Sequence, residues 1–329
     1  MIRLSLFGAG RIGRIHAANA AAHPDAELRF IVDVDARAAE ELARATGAQA
    51  ADAATALAGG VDAVLVASST DTHLPLIEAA ARAGLPVLCE KPLDLDTGRA
   101  RRAVEVAGQA GIPLFVGFNR RYDPGFRRIK DEIAAGAIGR VEVVSITSRD
   151  PAPPPLDYVR RSGGLFRDMT IHDLDMARWL LGEEPVSVFA SASTLVDPAI
   201  GAAGDVDTAV VVLRTASGAL CQVTNSRRCA YGYDQRIEVF GAGGMLRADN
   251  ETATRVERAG ADGFLSEPAL PFFLERYGEA YRRELADFLA AVAGGSPGPL
   301  ATGEDGVRAL VLAEAAEAAR QSGAAAAVG

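Results

Sequence analysis

Gly8-Ala9-Gly10-Arg11-Ile12-Gly13 decides the fold, because it follows the apolar run Arg3–Phe7 and opens a segment, Arg11–Ala22, with helical composition. In such a strand–turn–helix the first glycine makes the tight turn and the second lets the backbone approach a pyrophosphate. The third admits close helix–strand packing. Free N–H groups at the helix start would face the phosphates. Asp33 lies 20 residues beyond Gly13, ending a second strand, Glu27–Asp33. A carboxylate there can bond both ribose hydroxyls and repels a 2′-phosphate, which favours NAD over NADP. Arg37 offers a cation that could instead hold that phosphate.

Outward from this turn the chain alternates. Asp62–Ser68, Pro86–Glu90 and Pro113–Phe118 are apolar strands; Ala36–Thr46, Thr72–Ala83 and Asp96–Ala110 read as helices closed by Gly47, Gly84 and Gly111. Apolar strands separated by helices predict a parallel sheet covered on both faces, a doubly wound Rossmann domain over residues 1–118. The character then changes. Tyr122–Ala135 is helical, Arg140–Arg149 alternates, Asp150–Asp157 is a proline-rich loop, and Phe166–Leu181 is helical again. Val206–Arg214, Ala219–Ser226 and Gln235–Phe240 alternate or are β-branched. They predict an α/β domain with an open, mainly antiparallel sheet over residues 119–329. Its last helix, about 304–320, is placed to pack back on the first domain, and Gln321–Gly329 reads as a frayed tail.

At 329 residues, 49% hydrophobic and 23% charged, the chain has material for two domains and a sizeable core. A net charge of −9 and a pI near 5.1 argue against nucleic acid and anionic membranes as partners. Three cysteines, Cys89, Cys221 and Cys229, are odd in number and lack metal-ligand spacing. They predict no metal and a reducing, cytoplasmic setting. No apolar run approaches membrane-spanning length.

Cys89-Glu90-Lys91-Pro92 ends the strand Pro86–Glu90, and Lys91 is one of two lysines among 34 basic residues. An ammonium is a compact charge whose pKa burial can shift, which suits proton-linked chemistry. Ser68-Ser69-Thr70-Asp71-Thr72-His73 follows the third strand, so it shares the carboxyl edge with the glycine turn. Its hydroxyls can pack on a cofactor or Thr72 can cap the next helix, and His73 reads equally as helix start or cofactor contact. Asp168 and His172, spaced i, i+4, face one way on a helix, and Asp173 follows the histidine directly. A histidine takes a hydroxyl proton near neutrality, and a neighbouring carboxylate can orient it. Taken alone, such a pair is more often a solvated helix face. With Lys91 and a dinucleotide it supplies what alcohol oxidation requires: a base, a cation for the developing alkoxide and a hydride acceptor.

These strings, with Gly117-Phe-Asn-Arg-Arg-Tyr-Asp123, Gly163-Gly-Leu-Phe-Arg-Asp-Met-Thr-Ile-His172, Tyr231–Glu238 and Arg276–Tyr281, resemble the glucose–fructose oxidoreductase/inositol dehydrogenase/MocA family, and within it the inositol 2-dehydrogenases. The resemblance covers nearly the whole chain. It implies a Rossmann domain and an open-sheet α/β domain that meet over the active site, and a homotetramer formed through the sheets. It makes Lys91, Asp168 and His172 catalytic, and it places Arg120, Asp150 and Tyr233 with those three against substrate hydroxyls. Gly8, Gly10, Arg11, Ile12, Gly13, Asp33, Ser68, Ser69, Thr70, His73, Glu90 and Lys91 fall at the cofactor positions.

The expected activity is NAD-dependent oxidation of a cyclic polyol, myo-inositol to 2-keto-myo-inositol. Alternatives are a sister dehydrogenase of another inositol, an aldose or an anhydrosugar; an NADPH-dependent reductase, which Asp33 disfavours; and a non-catalytic dinucleotide-binding regulator, which the intact Lys91/Asp168/His172 set disfavours.

Overall fold

Five apolar runs and one two-residue extension form the first sheet of the computed structural model, which describes residues 1–329. They are β1 (Ile2–Phe7), β2 (Ala26–Val32), β3 (Gln49–Ala50), β4 (Ala63–Val66), β5 (Val87–Glu90) and β6 (Leu114–Gly117). Their order is β6-β5-β4-β1-β2-β3 with every pairing parallel, and Ala301–Thr302 adds antiparallel to β6. Every residue of β4, β5 and β6 is buried, as befits a sheet covered on both faces. The connections are α1 (Arg11–Ala22), α2 (Ala36–Thr46), α3 (Ala53–Ala58), α4 (His73–Arg82) and α5 (Thr97–Ala110). Asp35 and Asp96 cap α2 and α5 by accepting backbone N–H groups, while Gly47 and Gly111 end them in the left-handed conformation. This is the Rossmann sheet that the sequence predicts. β3 and α3 are too short to show a period in the sequence.

Contacts group Met1–Tyr122 with Glu279–Leu310 as one unit, and Asp123–Gly278 with Val311–Gly329 as the other. The sequence division at 118/119 places residues 279–303 in the second domain and expects only the last helix, about 304–320, to pack back on the first. Three contacts explain the difference. Phe288 packs edge-on against Phe115 with centroids 6.2 Å apart. Ala301–Thr302 pairs with β6. Gly306 lies so close to Val116 that a Cβ there would stand 2.9 Å from its side chain. The final helix, Gly303–Ser322, is therefore split, with Gly303–Leu310 in the first unit and the remainder in the second.

The second unit holds β7 (Val141–Arg149), β8 (Pro185–Ser193), β9 (Thr208–Thr215), β10 (Leu220–Ser226), β11 (Asp234–Gly241) and β12 (Gly244–Ala248). Their order is β12-β11-β7-β10-β9-β8, parallel only between β7 and β10. The expected frayed tail is instead structured. The last helix runs to Ser322, and Ala326–Ala327 pairs with the open edge of β8. Helices α6 (Pro124–Ala134), α7 (Leu156–Val159) and α8 (Ile171–Leu181) complete the elements used below. The helix predicted over Phe166–Leu181 changes winding, because Phe166–Thr170 is a π-helical turn that leads into α8.

One buried carboxylate organises the approach to β9. Asp207 is fully buried and accepts N–H groups from Leu195, Val196 and Asp197 at 2.8, 2.9 and 3.0 Å. Burial alone would raise its pKa, but the three N–H bonds outweigh it and the value falls below the usual carboxylate range. The stability it contributes is thus present above the unfolded-state pKa near ~3.9 and is lost as pH falls through the depressed folded value. Asp207→Ala should cost about 3 kcal/mol at neutral pH by urea unfolding, because three backbone donors and the Thr208 hydroxyl lose their acceptor, and the deficit should shrink in acid.

Candidate active site

The strand order reverses between β1 and β4, the place in an open parallel sheet where a crevice opens beyond the carboxyl ends. The glycine turn lies there and its geometry fits a dinucleotide. Gly8 has φ +108°, and a Cβ on it would stand 2.4 Å from the Ala67 carbonyl oxygen. A Cβ on Gly13 would stand 2.0 Å from the Gly8 carbonyl oxygen, whereas one on Gly10 would meet nothing within 4 Å. The first and third glycines therefore allow packing, and the second faces open space of the kind a phosphate needs. Gly10 caps α1 without a side-chain acceptor, so the helix start keeps its N–H groups for a ligand. Arg11 is exposed and Ile12 half-buried beside it. Asp33 reaches this turn, its Oδ2 accepting the Ala9 N–H at 2.6 Å.

After β4, the Thr72 hydroxyl donates to the Ser69 carbonyl at 2.7 Å and lies 2.6 Å from the Ser68 hydroxyl. It does not cap α4, which starts without a side-chain cap from a 3-10 turn, Thr70–Thr72. His73 opens α4. The ring is 1% exposed, with Nδ1 2.9 Å from the Pro92 carbonyl and Nε2 3.2 Å from that of Ser68. Burial lowers its pKa, so it is a neutral ring that braces the turn after β5.

That turn carries Lys91, half-buried, whose backbone N–H donates to Glu90 Oε2 at 3.3 Å. Glu90 Oε1 lies 2.7 Å from His16 Nε2, and its carboxyl group packs so tightly on Gly117 that a Cβ there would stand 3.1 Å away. Glu284, fully buried on the helix Gly278–Val292, has its carboxyl pKa pushed well up, by burial first and by the charge of Glu90 second. A carboxyl group with a raised pKa therefore lies close to Glu90. No sequence motif marked His16 or Glu284; their burial is visible only in the fold.

In the second unit, Asp168 sits in the π turn and His172 in the first turn of α8, both half-buried. Such π turns recur at functional sites, and this one begins where Gly164, at φ +82°, presses against the Asp205 carboxylate. Asp173, the carboxylate next to His172, is bound to the sheet. It is fully buried and accepts from Ser148 of β7 at 2.6 Å and Asn225 of β10 at 2.7 Å. Through these two bonds Asp173 anchors α8 to the sheet. Asp168 accepts from the Tyr158 hydroxyl at 2.8 Å and from Arg227 at 2.9 Å. Arg120 and Tyr233 are buried, Tyr233 edge-on to Phe272 and Tyr277, and Asp150 is half-buried at the end of β7. Tyr158 and Arg227 escaped the sequence reading. The available signal for Arg227 was its place one residue past a predicted strand end.

Residues 2–118 match the oxidoreductase family, NAD-binding Rossmann fold, and residues 126–247 match the GFO/IDH/MocA C-terminal domain. An inositol 2-dehydrogenase of Rhizobium meliloti (strain 1021) is 50% identical over 317 residues, 96% of each chain. The chain belongs to the GFO/IDH/MocA family. A myo-inositol 2-dehydrogenase of Thermotoga maritima is also 50% identical, over 96% of this chain and 95% of its own. The crystal structure of scyllo-inositol dehydrogenase from Lactobacillus casei with bound NAD(H) and scyllo-inositol superimposes with a TM-score of 0.92 at 29% identity, covering 100% of this chain and 99% of that one. As a member of this family the chain is an NAD-dependent oxidoreductase. No helix is long and apolar enough to cross a membrane.

Gly13→Ala tests the cofactor turn. Its methyl group collides with backbone, so α1 must move away from β1, and the NADH dissociation constant should rise at least about tenfold in a fluorescence titration, as one lost phosphate contact of ~1.4 kcal/mol would require.

Proposed function

We propose that this chain oxidises a cyclic polyol with NAD, converting myo-inositol to 2-keto-myo-inositol. The observation that carries this reading is His172. Of four histidines, His16 and His73 are buried and His23 ends α1, so His172 is the one histidine of the second unit. It is half-buried on a helix that Asp173 pins to the sheet, as a base of fixed direction should be. The names of the relatives at 50% identity support the substrate class.

The bound dinucleotide supplies the hydride acceptor. His172 takes the hydroxyl proton as the carbon beneath it loses hydride, leaving the ketone. Lys91 stabilises the negative charge that develops on the oxygen, and Asp168 holds His172 or a substrate hydroxyl in place. Arg120, Asp150, Asp168 and Tyr233 pair with the remaining ring hydroxyls, and each is left unpaired when the wrong epimer binds. Asp33 favours NAD over NADP by repelling a 2′-phosphate.

A homotetramer formed through the sheets belongs to the same reading. Met245, Phe240, Val143 and Leu220 occupy paired positions across β12, β11, β7 and β10, and all four are between 36% and 49% exposed. An apolar row crossing four strands is a surface that a second copy of the chain would cover.

NAD⁺ and NADP⁺ reduction across myo-inositol, scyllo-inositol and a set of aldoses tests the assignment. Myo-inositol with NAD⁺ should give the highest kcat/KM; inert myo-inositol beside active scyllo-inositol would overturn the substrate. The oxidative kcat/KM should rise with pH through the His172 ionisation. In His172→Ala that limb should vanish and kcat fall by roughly 10²–10⁴, with NADH affinity unchanged. Lys91→Arg should be nearly as damaging as Lys91→Ala, because the planar guanidinium is larger and does not give up its proton.

A further inference from the structure

Arg227 follows the last residue of β10 and is 2% exposed, whereas its neighbour Arg228 faces solvent. Its Nη2 donates to Asp168 Oδ2 at 2.9 Å, and its Nη1 lies 3.5 Å from Asp150 Oδ2. The second Asp168 oxygen accepts from the Tyr158 hydroxyl at 2.8 Å. Asp205, in the loop before β9, adds a third carboxylate to the field of the same guanidinium. Arg227 is itself fixed, since its backbone N–H donates to the carbonyl of Asp207 at 2.8 Å.

We propose that Arg227 is a positioning residue of the dehydrogenase: one buried guanidinium holds the Asp150 and Asp168 carboxylates side by side and fixes the directions in which they meet a polyol. This rests on the reading above that both acids contact substrate hydroxyls. A guanidinium suits the task because its planar fork carries several donors at fixed angles, which one ammonium lacks. Burying such a group is costly unless it is paired, so a purely structural site would be served as well by an apolar side chain. Burial pulls the guanidinium pKa down, but Asp168 and Asp150 outweigh it and the value ends above the ordinary one. The Tyr158 hydroxyl is pushed up, by burial first and by Asp168 second, so it stays a neutral donor. Without Arg227, the Asp150, Asp168 and Asp205 carboxylates lose the guanidinium that they share, while Arg320 still acts on Asp205, and protonation of the acids is favoured.

Arg227→Lys and Arg227→Gln test the clamp in the full chain. Both should bind NADH within about twofold of wild type, since the cofactor turn is untouched. Arg227→Lys should raise the KM for the polyol by about tenfold or more with a smaller loss of kcat, because the acids are present but misaimed. Arg227→Gln should be worse. Its thermal midpoint should lie below wild type near neutrality, and the gap should narrow as pH falls towards ~4, where protonated acids no longer need a cation. A wild-type KM in Arg227→Lys, or a midpoint gap independent of pH in Arg227→Gln, would overturn the proposal. If Arg227→Gln does not fold, Arg227→Lys decides. If wild-type protein binds NADH but turns over no polyol, the substrate reading has failed, and the midpoint series alone judges the clamp.

Discussion

The approach of Gly13 to the carbonyl of Gly8 is the constraint on which the first unit depends. With a side chain at Gly13, α1 could not leave the end of β1 at the angle it takes, and one at Gly8 would strike the backbone of Ala67 after β4. The consequence extends along the sheet. Phe7, Val66, Cys89 and Val116 are paired in register across β1, β4, β5 and β6. Because these strands run in one direction, the turn after each begins on the same edge. Gly8, Ser68 and Lys91 are thereby delivered to one rim, although 83 residues of chain separate the first from the last. A parallel sheet makes neighbours of residues that local sequence cannot relate.

The second unit orients its chemistry by a different means. Ser148, Asp173, Asn225 and Thr170 form a chain of hydrogen bonds beneath α8, each at 2.6–2.7 Å. Two of the three bonds end on the Asp173 carboxylate, so the chain contributes more than neutral bonds of about 1 kcal/mol each would. Its value is directional. A buried carboxylate that must find two donors admits one register of helix on sheet, and a slip of one residue would strand the charge. The helix is thus registered by polar pairing, in contrast to the glycine contacts of the first unit.

These differences explain what the sequence disclosed. The Rossmann half was legible because its signals are local: glycines at fixed spacing, apolar runs of strand length, aspartates at helix starts. Lys91, Asp168 and His172 were legible as strings. The bonds of Asp173 to Ser148 and Asn225 were not legible, because they join residues 25 and 52 positions apart. The π turn left no trace, since Phe166–Thr170 has ordinary helical composition and its winding is a tertiary outcome. His73 was ambiguous because only the fold shows two carbonyls facing its ring. Arg227 was invisible because a strand-end arginine is usually solvated, and its burial depends on acids 59 and 77 residues away.

The discontinuity of the first unit has an evolutionary side. Met1–Tyr122 lacks Phe288, Ala301 and Gly306, which complete the core around β6. A recombination event that carried only the N-terminal segment into another gene would transplant a sheet with one edge strand missing and its outer helix gone. The route of the chain itself ties the inheritance of the dinucleotide half to that of its partner.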